Sequence, residues 1–212
     1  QQHSGEHIVS GIICARYGCD NVGFHLGKDI VTIDFNHDIS PEDLPAIEAQ
    51  ANAFIWSDTP IDIRFLEGDA LRQAEYRSKK FIPGLVRLVA FPGADCCACC
   101  GTHVLRAGQV GLVKFFSCQK FREGVRIEML CGKRAFDFLS RSHEQNRLVS
   151  GAFSAKILET GEAARKMNEQ LAAEKLRANS LQTQLLRQTA KNYENAGDVL
   201  HFEENLDSTQ LR

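Results

Sequence analysis

The sequence predicts an α+β domain, in which a mixed sheet packs against helices, followed by a long C-terminal helix. Three observations predict this fold. Short alternating apolar runs lie among helical patterns up to about residue 140. After residue 141, Gly, Pro and β-branched residues become scarce, and Ala, Leu, Glu, Gln, Lys and Arg dominate. No stretch approaches the ~18 uninterrupted apolar residues that a membrane span requires.

Helical and strand patterns alternate at the start of the chain. Ile8, Ile12 and Ile13 recur at helical spacing, which predicts a helix over residues 2–16. The runs VGFHLG and DIVTIDF follow, with turn residues between them. Alternating β-branched residues beside a turn predict a β-hairpin, whose second strand ends at Phe35.

A second helix and a strand follow this hairpin. Ser40 precedes Pro41, and this pair is typical of a helix N-terminus. The Ser side chain caps the first turn. Pro is tolerated at this point because the amide that it lacks would have no hydrogen-bond partner within the helix. We expect that helix to end near Ser57. The alternating run TPIDIRFL predicts a strand over 59–66, and we expect a short helix over 69–77.

Three further strand patterns surround a cysteine-rich loop. Each is an apolar run that contains β-branched or aromatic residues. The runs are LVRLVAF, QVGLVKFFSCQKF and GVRIEMLCG, over residues 85–91, 109–121 and 124–132. Helix, hairpin, helix and then several strands indicate an α+β sheet domain over residues 1–140.

The C-terminal part predicts a coiled-coil-like helix over residues 141–194, with its helical pattern lasting to about Lys191. A narrow apolar seam at heptad spacing runs along it, formed by Ile157, Ala164, Leu171, Ala178 and Leu185. Such a seam requires a partner, either a second copy of the chain in a homodimer or the protein's own domain. Residues 195–212, with a strand pattern over 198–204, indicate the start of a truncated further domain.

Composition and charge restrict the class of protein. The 212 residues carry 25 Lys and Arg against 27 Asp and Glu, and this net charge of −2 excludes binding of nucleic acid through bulk positive charge. Four of the eight cysteines crowd into residues 96–100, where neighbouring cysteines would strain a disulfide bond. Without a signal-peptide pattern, this predicts reduced thiols in a cytoplasmic protein that does not enter membranes.

Two pairs of residues carry the strongest chemical signal. His3 and His7 in HSGEH, and Cys99 and His103 in CCGTH, are each four residues apart. On a helix this spacing places two side chains on one face, so that the ligating atoms of each pair can reach one point. Three imidazoles and one thiolate suit tetrahedral Zn²⁺. Glu6 lies at the wrong offset for an HExxH site, which argues against a thermolysin-like peptidase.

Five motifs together resemble one family. HSGEHI, GFHLG with TIDF, PGADCCACCGTHV, QVGLVKF and GVRIEMLCGKRA resemble, in order and spacing, the editing domain of alanyl-tRNA synthetases and the free-standing alanyl-tRNA editing proteins. The related domain of threonyl-tRNA synthetases shares the two metal-binding pairs. The resemblance covers about residues 1–136, and residues 141–212 resemble the long helix that begins the C-terminal oligomerisation domain of longer members.

The resemblance implies hydrolysis, in trans, of the ester that joins a wrong amino acid, serine or glycine, to the acceptor end of alanine tRNA. It implies that Zn²⁺ is held by His3, His7, Cys99 and His103, with the two N-terminal histidines taking part in catalysis. The metal would either activate a water or position the substrate. Two alternatives stay open: a structural zinc module with a dimerising helical arm, and editing of serine-charged threonine tRNA.

The resemblance also suggests residues for substrate choice. We expect Thr32 to take part by sensing the serine hydroxyl, because a site that hydrogen-bonds this group can reject alanine. The alternative is that Thr32 is present for its β-propensity. His25 and Thr102 are the other polar candidates close to the motifs.

Three further residues are candidates for contact with tRNA. Gly23 and Gly27 would let backbone amides approach the terminal adenosine, or would simply form turns. Arg126 would contact the substrate, although an internal ion pair is the alternative. A local excess of basic residues over 114–147 supports a tRNA-facing surface.

The cysteine-rich segment leaves an ambiguity. Only Cys99 keeps the four-residue spacing to His103, while a register shifted to Cys97 or Cys100 is conceivable. The additional thiols, including Cys96, have no assigned role, and a redox-sensitive or second metal site is one interpretation. Because the first candidate ligand is residue 3 and no Met precedes it, we expect the chain to be a fragment trimmed at both ends.

Overall fold

The computed structural model describes residues 1–78 and 83–200, and it confirms the α+β class with a long C-terminal helix. The chain divides into two compact units, Gln1–Ser142 and His143–Arg212. Among the described residues, no helix is long and apolar enough to cross a lipid bilayer.

The first unit contains the predicted helices and strands. In chain order they are α1 (Gln2–Tyr17), β1 (Asn21–Leu26), β2 (Val31–Phe35), α2 (Leu44–Trp56), β3 (Asp62–Leu66), α3 (Gly68–Arg72), β4 (Val86–Phe91), β5 (Asp95–Ala98), β6 (Val113–Phe121) and β7 (Gly124–Cys131), after which α4 (Gly132–Phe153) begins. The helix expected after Ser40 begins with a 3₁₀ turn, and the Ser40 hydroxyl accepts a hydrogen bond from the Glu42 amide at 3.3 Å. The helix expected over 69–77 is shorter, and β5 occupies part of the expected loop.

The strands form two sheets, in which every pairing between the described strands is antiparallel. The sequence predicts a mixed sheet instead, but among the described residues the one parallel contact is an isolated bridge between Arg77 and Cys97. The larger sheet has the order β1-β2-β7-β6, and the smaller has the order β3-β4-β5. Short turns join β1 to β2, β4 to β5 and β6 to β7, and connections this short permit only antiparallel neighbours.

One face of the larger sheet forms the core with α1 and α2. Along β2 the residues alternate, so that Val31, Ile33 and Phe35 are buried, while Thr32 and Asp34 are only partly buried. The core is completed by fully buried residues on the two helices and on β7, namely Ile8, Ile13, Ile47, Ile55, Ile127 and Met129.

Two glycines allow α1 to approach the strands closely. A Cβ atom on Gly11 would lie 2.1 Å from the Ala94 carbonyl oxygen, and one on Gly5 would lie 2.2 Å from Cys131 Sγ. Neither distance is compatible with van der Waals contact. The helix therefore lies directly against the backbone that leads into β5.

The second unit corrects the expectation of one continuous helix over 141–194. Helix α4 ends at Phe153, and α5 (Thr160–Lys191) follows after a turn. Ser154 adopts a left-handed conformation with φ of 50°, which ends α4. Asn146 stabilises the turn, because its side-chain amide donates to the Ile157 carbonyl and its oxygen accepts from Thr160 Oγ1, both at 2.7 Å.

The apolar seam of α5 is not covered within the described residues. Leu171 and Leu185 are 51% and 58% exposed. The helix ends at Lys191, where the sequence predicts its end. Most of the strand expected over 198–204 lies outside the described residues.

We predict that Gly11→Ala destabilises the first unit. The new methyl group forces α1 away from the Ala94 backbone, and we expect the free energy of unfolding to fall by about 1–3 kcal/mol. Urea unfolding followed by circular dichroism measures this change. Gly151→Ala is the control, because the added Cβ meets no atom within 4 Å and an alanine favours the helix. Equal stability of Gly11→Ala and wild type would contradict the close packing.

Candidate metal centre and cavity

The four candidate ligands converge in the first unit. His3 and His7 lie one turn apart on α1, and Cys99 and His103 lie in the segment that follows β5. Their ligating atoms are all within 4.8 Å of one another. The fold thus brings together two segments that are more than 90 residues apart in sequence.

The donor atoms face one another at distances that suit a tetrahedral ion. Cys99 Sγ lies 3.6 Å from His3 Nε2 and 3.3 Å from His103 Nε2. Around tetrahedral zinc, a thiolate sulfur and an imidazole nitrogen are roughly 3.5 Å apart. His7 completes the set, because one of its ring nitrogens lies within 4.8 Å of the ligating atoms of the other three residues.

Neighbouring side chains orient two of the imidazole rings. His7 Nδ1 lies 2.9 Å from Asp95 Oδ2, and His103 Nδ1 lies 3.2 Å from Ser4 Oγ. When the Nδ1 atoms make these contacts, the Nε2 atoms are left to face the thiol. A carboxylate or hydroxyl behind a metal-binding imidazole is the usual support of such a ligand.

Asp95 is itself held by Arg77. The guanidinium group donates to both carboxylate oxygens, from Nε to Oδ1 at 2.7 Å and from Nη2 to Oδ2 at 2.8 Å. Burial raises the pKa of Asp95, but its hydrogen bonds with His7 and Arg77 outweigh this effect and lower it. Asp95 is therefore a fixed anion behind His7.

The cluster stabilises a thiolate. Burial raises the pKa of Cys99, but hydrogen bonds with His103, His3 and His7 outweigh it and lower the pKa to about 3. Burial likewise lowers the pKa of His7, yet its hydrogen bonds with Asp95 and Cys99 raise it to about 9. A thiolate is the form of cysteine that binds a metal ion.

The loop that carries Cys99 is fixed from both sides. Arg87 Nη1 donates to the carbonyl oxygens of Cys99 and Gly101, at 2.6 and 2.9 Å. A Cβ atom on Gly101 would lie 2.3 Å from the His3 ring, so glycine leaves the space that this ring occupies. The Gly101 amide also donates to Cys99 Sγ at 3.4 Å.

A cavity of about 330 Å³ opens beside the cluster. Its size suits a small ligand or the end of a larger one. Its wall combines candidate metal ligands with polar, charged and apolar groups from α1, β1, β5 and two adjoining loops. It consists of His3, Glu6, His7, Asn21, Phe24, Arg77, Ser78, Cys97, Ala98 and Cys99.

Cys97 is a second thiol in this wall. Its sulfur, one nitrogen of His7 and one oxygen of Asp95 also lie within 4.8 Å of one another. However, Arg77 already occupies both oxygens of Asp95. Burial raises the pKa of Cys97 to about 12, so its thiol remains protonated. Cys99 is thus better suited than Cys97 to bind a metal ion with the three histidines.

The structure does not bring Thr32 and His25 to the cavity. They are cross-strand partners on β2 and β1, as are Ile33 and Phe24. Phe24 stacks on the His3 ring with centroids 5.5 Å apart, and Ile33 is fully buried in the core. Because successive residues of a strand point to opposite faces, Thr32 and His25 lie on the face away from the cluster.

The remaining predicted contact residues also lie outside the cavity wall. Thr102 is exposed in the loop after β5. Arg126 on β7 donates to both oxygens of Asp34, at 2.7 and 2.8 Å, and lies over the ring of Phe121. The internal ion pair is therefore present, and contact of Arg126 with tRNA stays a prediction.

The two glycines of the hairpin have structural neighbours. A Cβ atom on Gly23 would lie 2.5 Å from Asp34 Oδ2, and one on Gly27 would lie 2.5 Å from the Ile30 carbonyl oxygen. Glycine at these two positions thus leaves room for close packing within the hairpin. Their proximity to a bound adenosine stays a prediction.

Sequence reasoning missed several residues of the site. Asp95 and Arg77 support His7 from a strand and a loop that no spacing rule connects with α1. Asn21 and Phe24 enter the wall from β1. One signal was present, since Asp95, Cys97 and Cys99 alternate and so share one side of an extended segment.

Comparisons with known proteins agree with this geometry. Residues 86–128, from β4 to β7, match the family described as the threonyl and alanyl tRNA synthetase second additional domain. The chain is 28% identical over 203 residues to alanyl-tRNA editing protein Aarsd1-A of Xenopus laevis, covering 93% of the chain and 49% of that protein.

Two archaeal proteins are also similar. The identity is 32% over 162 residues with the alanine–tRNA ligase of Methanobrevibacter smithii, covering 72% of the chain and 18% of the ligase. It is 30% over 140 residues with alanyl-tRNA editing protein AlaX-L of Pyrococcus horikoshii, covering 64% of the chain and 34% of that protein. The chain spans about half or less of the length of these relatives. The chain is therefore similar to alanyl-tRNA editing proteins and to an alanine–tRNA ligase, and its residues 86–128 match the second additional domain of threonyl and alanyl tRNA synthetases.

Proposed function

We propose that this protein is a zinc-dependent deacylase that hydrolyses, in trans, alanine tRNA mischarged with serine or glycine. The observation that carries the proposal is the convergence of three imidazoles and a low-pKa thiol at the wall of a cavity. The relatives named for alanyl-tRNA editing support the substrate class. All eight cysteines are free, which suits the reducing cytoplasm.

The chemistry of the donor set favours zinc as the bound ion. His3, His7, Cys99 and His103 offer borderline-soft nitrogen and sulfur ligands at distances that suit a tetrahedral centre. When bound, the ion supplies a fixed positive charge or a Lewis acid beside the ester carbonyl.

The residues of the chain position the reactants. Asp95 holds His7 by its Nδ1 atom and thereby directs Nε2 towards the cluster. Phe24 packs on His3 and limits the orientations that a bound aminoacyl group can adopt. Because an aminoacyl ester is intrinsically labile, orientation and electrostatic stabilisation of the oxyanion supply a large part of the acceleration.

We predict that Asp95→Asn weakens zinc binding. The neutral amide no longer balances Arg77 or orients the His7 ring, and loss of such support lowers metal affinity by about 10- to 100-fold. Competition with a chromophoric chelator measures the affinity. Asp62→Asn on β3 is the control, since that carboxylate forms an exposed ion pair with Arg64. Unchanged affinity in Asp95→Asn would contradict the supporting role.

We predict that His7→Ala lowers the rate of deacylation of serine-charged alanine tRNA by about 100-fold or more. The variant loses one candidate ligand and the group that Asp95 orients. Release of labelled serine measures the rate, and His143→Ala, which changes an exposed histidine of α4, is the control.

Two results of this assay would contradict the proposed function. If folded, zinc-loaded wild type binds tRNA without hydrolysing the ester, the site is a structural zinc module. If the protein prefers serine-charged threonine tRNA, it edits the threonyl substrate instead.

We also propose a homodimer through the seam of α5, because Leu171 and Leu185 are more than half exposed. Leu185→Lys places a charge in the seam, and we predict a shift from dimer to monomer in sedimentation velocity. Leu176→Lys is the control, since Leu176 is 73% exposed and lies off the seam. A monomeric wild type at tens of micromolar would contradict this proposal.

A further inference from the structure

A buried carboxylate that the metal site does not use lies in the wall of the same cavity. Glu6 precedes His7 on α1, and only 4% of its surface is exposed. Burial of a carboxylate costs free energy unless hydrogen bonds or an opposite charge compensate for it. The surroundings of its two oxygens therefore indicate its role.

One oxygen of Glu6 is fully engaged. Oε1 accepts hydrogen bonds from Ser10 Oγ at 2.7 Å and from Asn21 Nδ2 at 2.6 Å. Asn21 Nδ2 also donates to Ser10 Oγ at 2.8 Å. These contacts join α1 to the start of β1 and fix the plane of the carboxylate.

The other oxygen faces the cavity. Within the described residues, Oε2 accepts no hydrogen bond, and its ionic neighbour is His7 Nε2 at 4.0 Å. In that part of the chain, every side-chain oxygen or nitrogen that is sealed from solvent has a hydrogen-bond partner. Because Oε2 has none, it is accessible, and it opens onto the cavity that Glu6 lines.

Among the described residues, the cations near this oxygen have other partners. The metal site requires His7 Nε2 as a ligand, and an imidazole that binds a metal is neutral. Arg77 is bound to Asp95 through both of its oxygens. The carboxylate oxygen Oε2 thus faces the cavity beside His3 and Cys99, two candidate metal ligands that line the same cavity.

We propose that Oε2 of Glu6 receives the α-ammonium group of the aminoacyl ester and makes the site selective for tRNA whose amino acid has a free amine. This inference rests on the proposed function. An α-amino group is largely protonated near neutral pH, and a charge-assisted hydrogen bond in a buried site is strong. N-acylation removes the charge and leaves the carboxylate unpaired, so peptidyl-tRNA and N-acetylaminoacyl-tRNA are rejected.

The test compares serine-charged alanine tRNA with its N-acetylserine form. For wild type we expect kcat/KM to be higher for the free amine by on the order of 10- to 100-fold. In Glu6→Gln, the amide oxygen can still accept from Ser10 and Asn21, but the charge is lost. We expect this variant to lose most of the preference, through a lower rate on the free amine only.

Ser10→Ala is the matched control, since it removes one donor to Oε1 and keeps the charge. We expect it to retain the preference for the free amine. If Glu6→Gln slowed both substrates equally, Glu6 would act on the reaction or on the fold alone, and the inference would be overturned.

A binding measurement that needs no hydrolysis separates this inference from the proposed function. Serinamide carries the free ammonium group, and N-acetylserinamide does not. Calorimetric titration of wild type should show tighter binding of serinamide, and equal binding overturns the inference even if a variant fails to fold. If wild type hydrolyses neither tRNA, the proposed function fails, and this titration alone decides the role of Glu6.

Discussion

The contact of α1 with the segment that leads into β5 is the constraint on which the site depends. Gly11 allows the helix to touch the Ala94 backbone, and one turn earlier His7 meets Asp95 at 2.9 Å. His7 and Asp95 are 88 residues apart in sequence, so the two halves of the candidate metal centre meet only when this packing forms. Apolar burial around Ile8 and Ile13 supplies the free energy that holds charged groups together here.

The charged groups of the candidate metal centre stabilise one another. The thiolate of Cys99 depends on the histidines, His7 depends on Asp95, and Asp95 depends on Arg77. Removal of one member leaves a buried charge without compensation, which costs more than the contact itself contributes. This network holds the four candidate ligands in one arrangement, which is what a preorganised metal site requires.

The sequence predicted those parts of the fold and site that are encoded by local spacing. The four ligand candidates follow from two i, i+4 pairs, and most helices and strands follow from periodicity. The helical pattern of the sequence does not reveal the break at Ser154. Hydrogen bonding between the polar side chains of Asn146 and Thr160 stabilises this turn, and such residues do not disturb the pattern. Thr32 has the chemistry to sense a serine hydroxyl, but strand alternation points its side chain away from the cluster, and this role stays a prediction. The pairing of Asp95 with His7 could not be predicted from the sequence, because only tertiary packing brings the two residues together.

A β-bulge determines which residues of β1 reach the cavity. Asn21 and Phe24 are three positions apart, and in a regular strand an odd separation places two side chains on opposite faces. In β1 the register shifts between Asn21 and Gly23, so that Asn21 pairs with Phe35 and Phe24 pairs with Ile33. Because Phe35 and Ile33 share the core face, the extra residue brings both Asn21 and Phe24 to the wall. The bulge thus places the amide that orients Glu6 and the ring that packs on His3 on one side of the cavity.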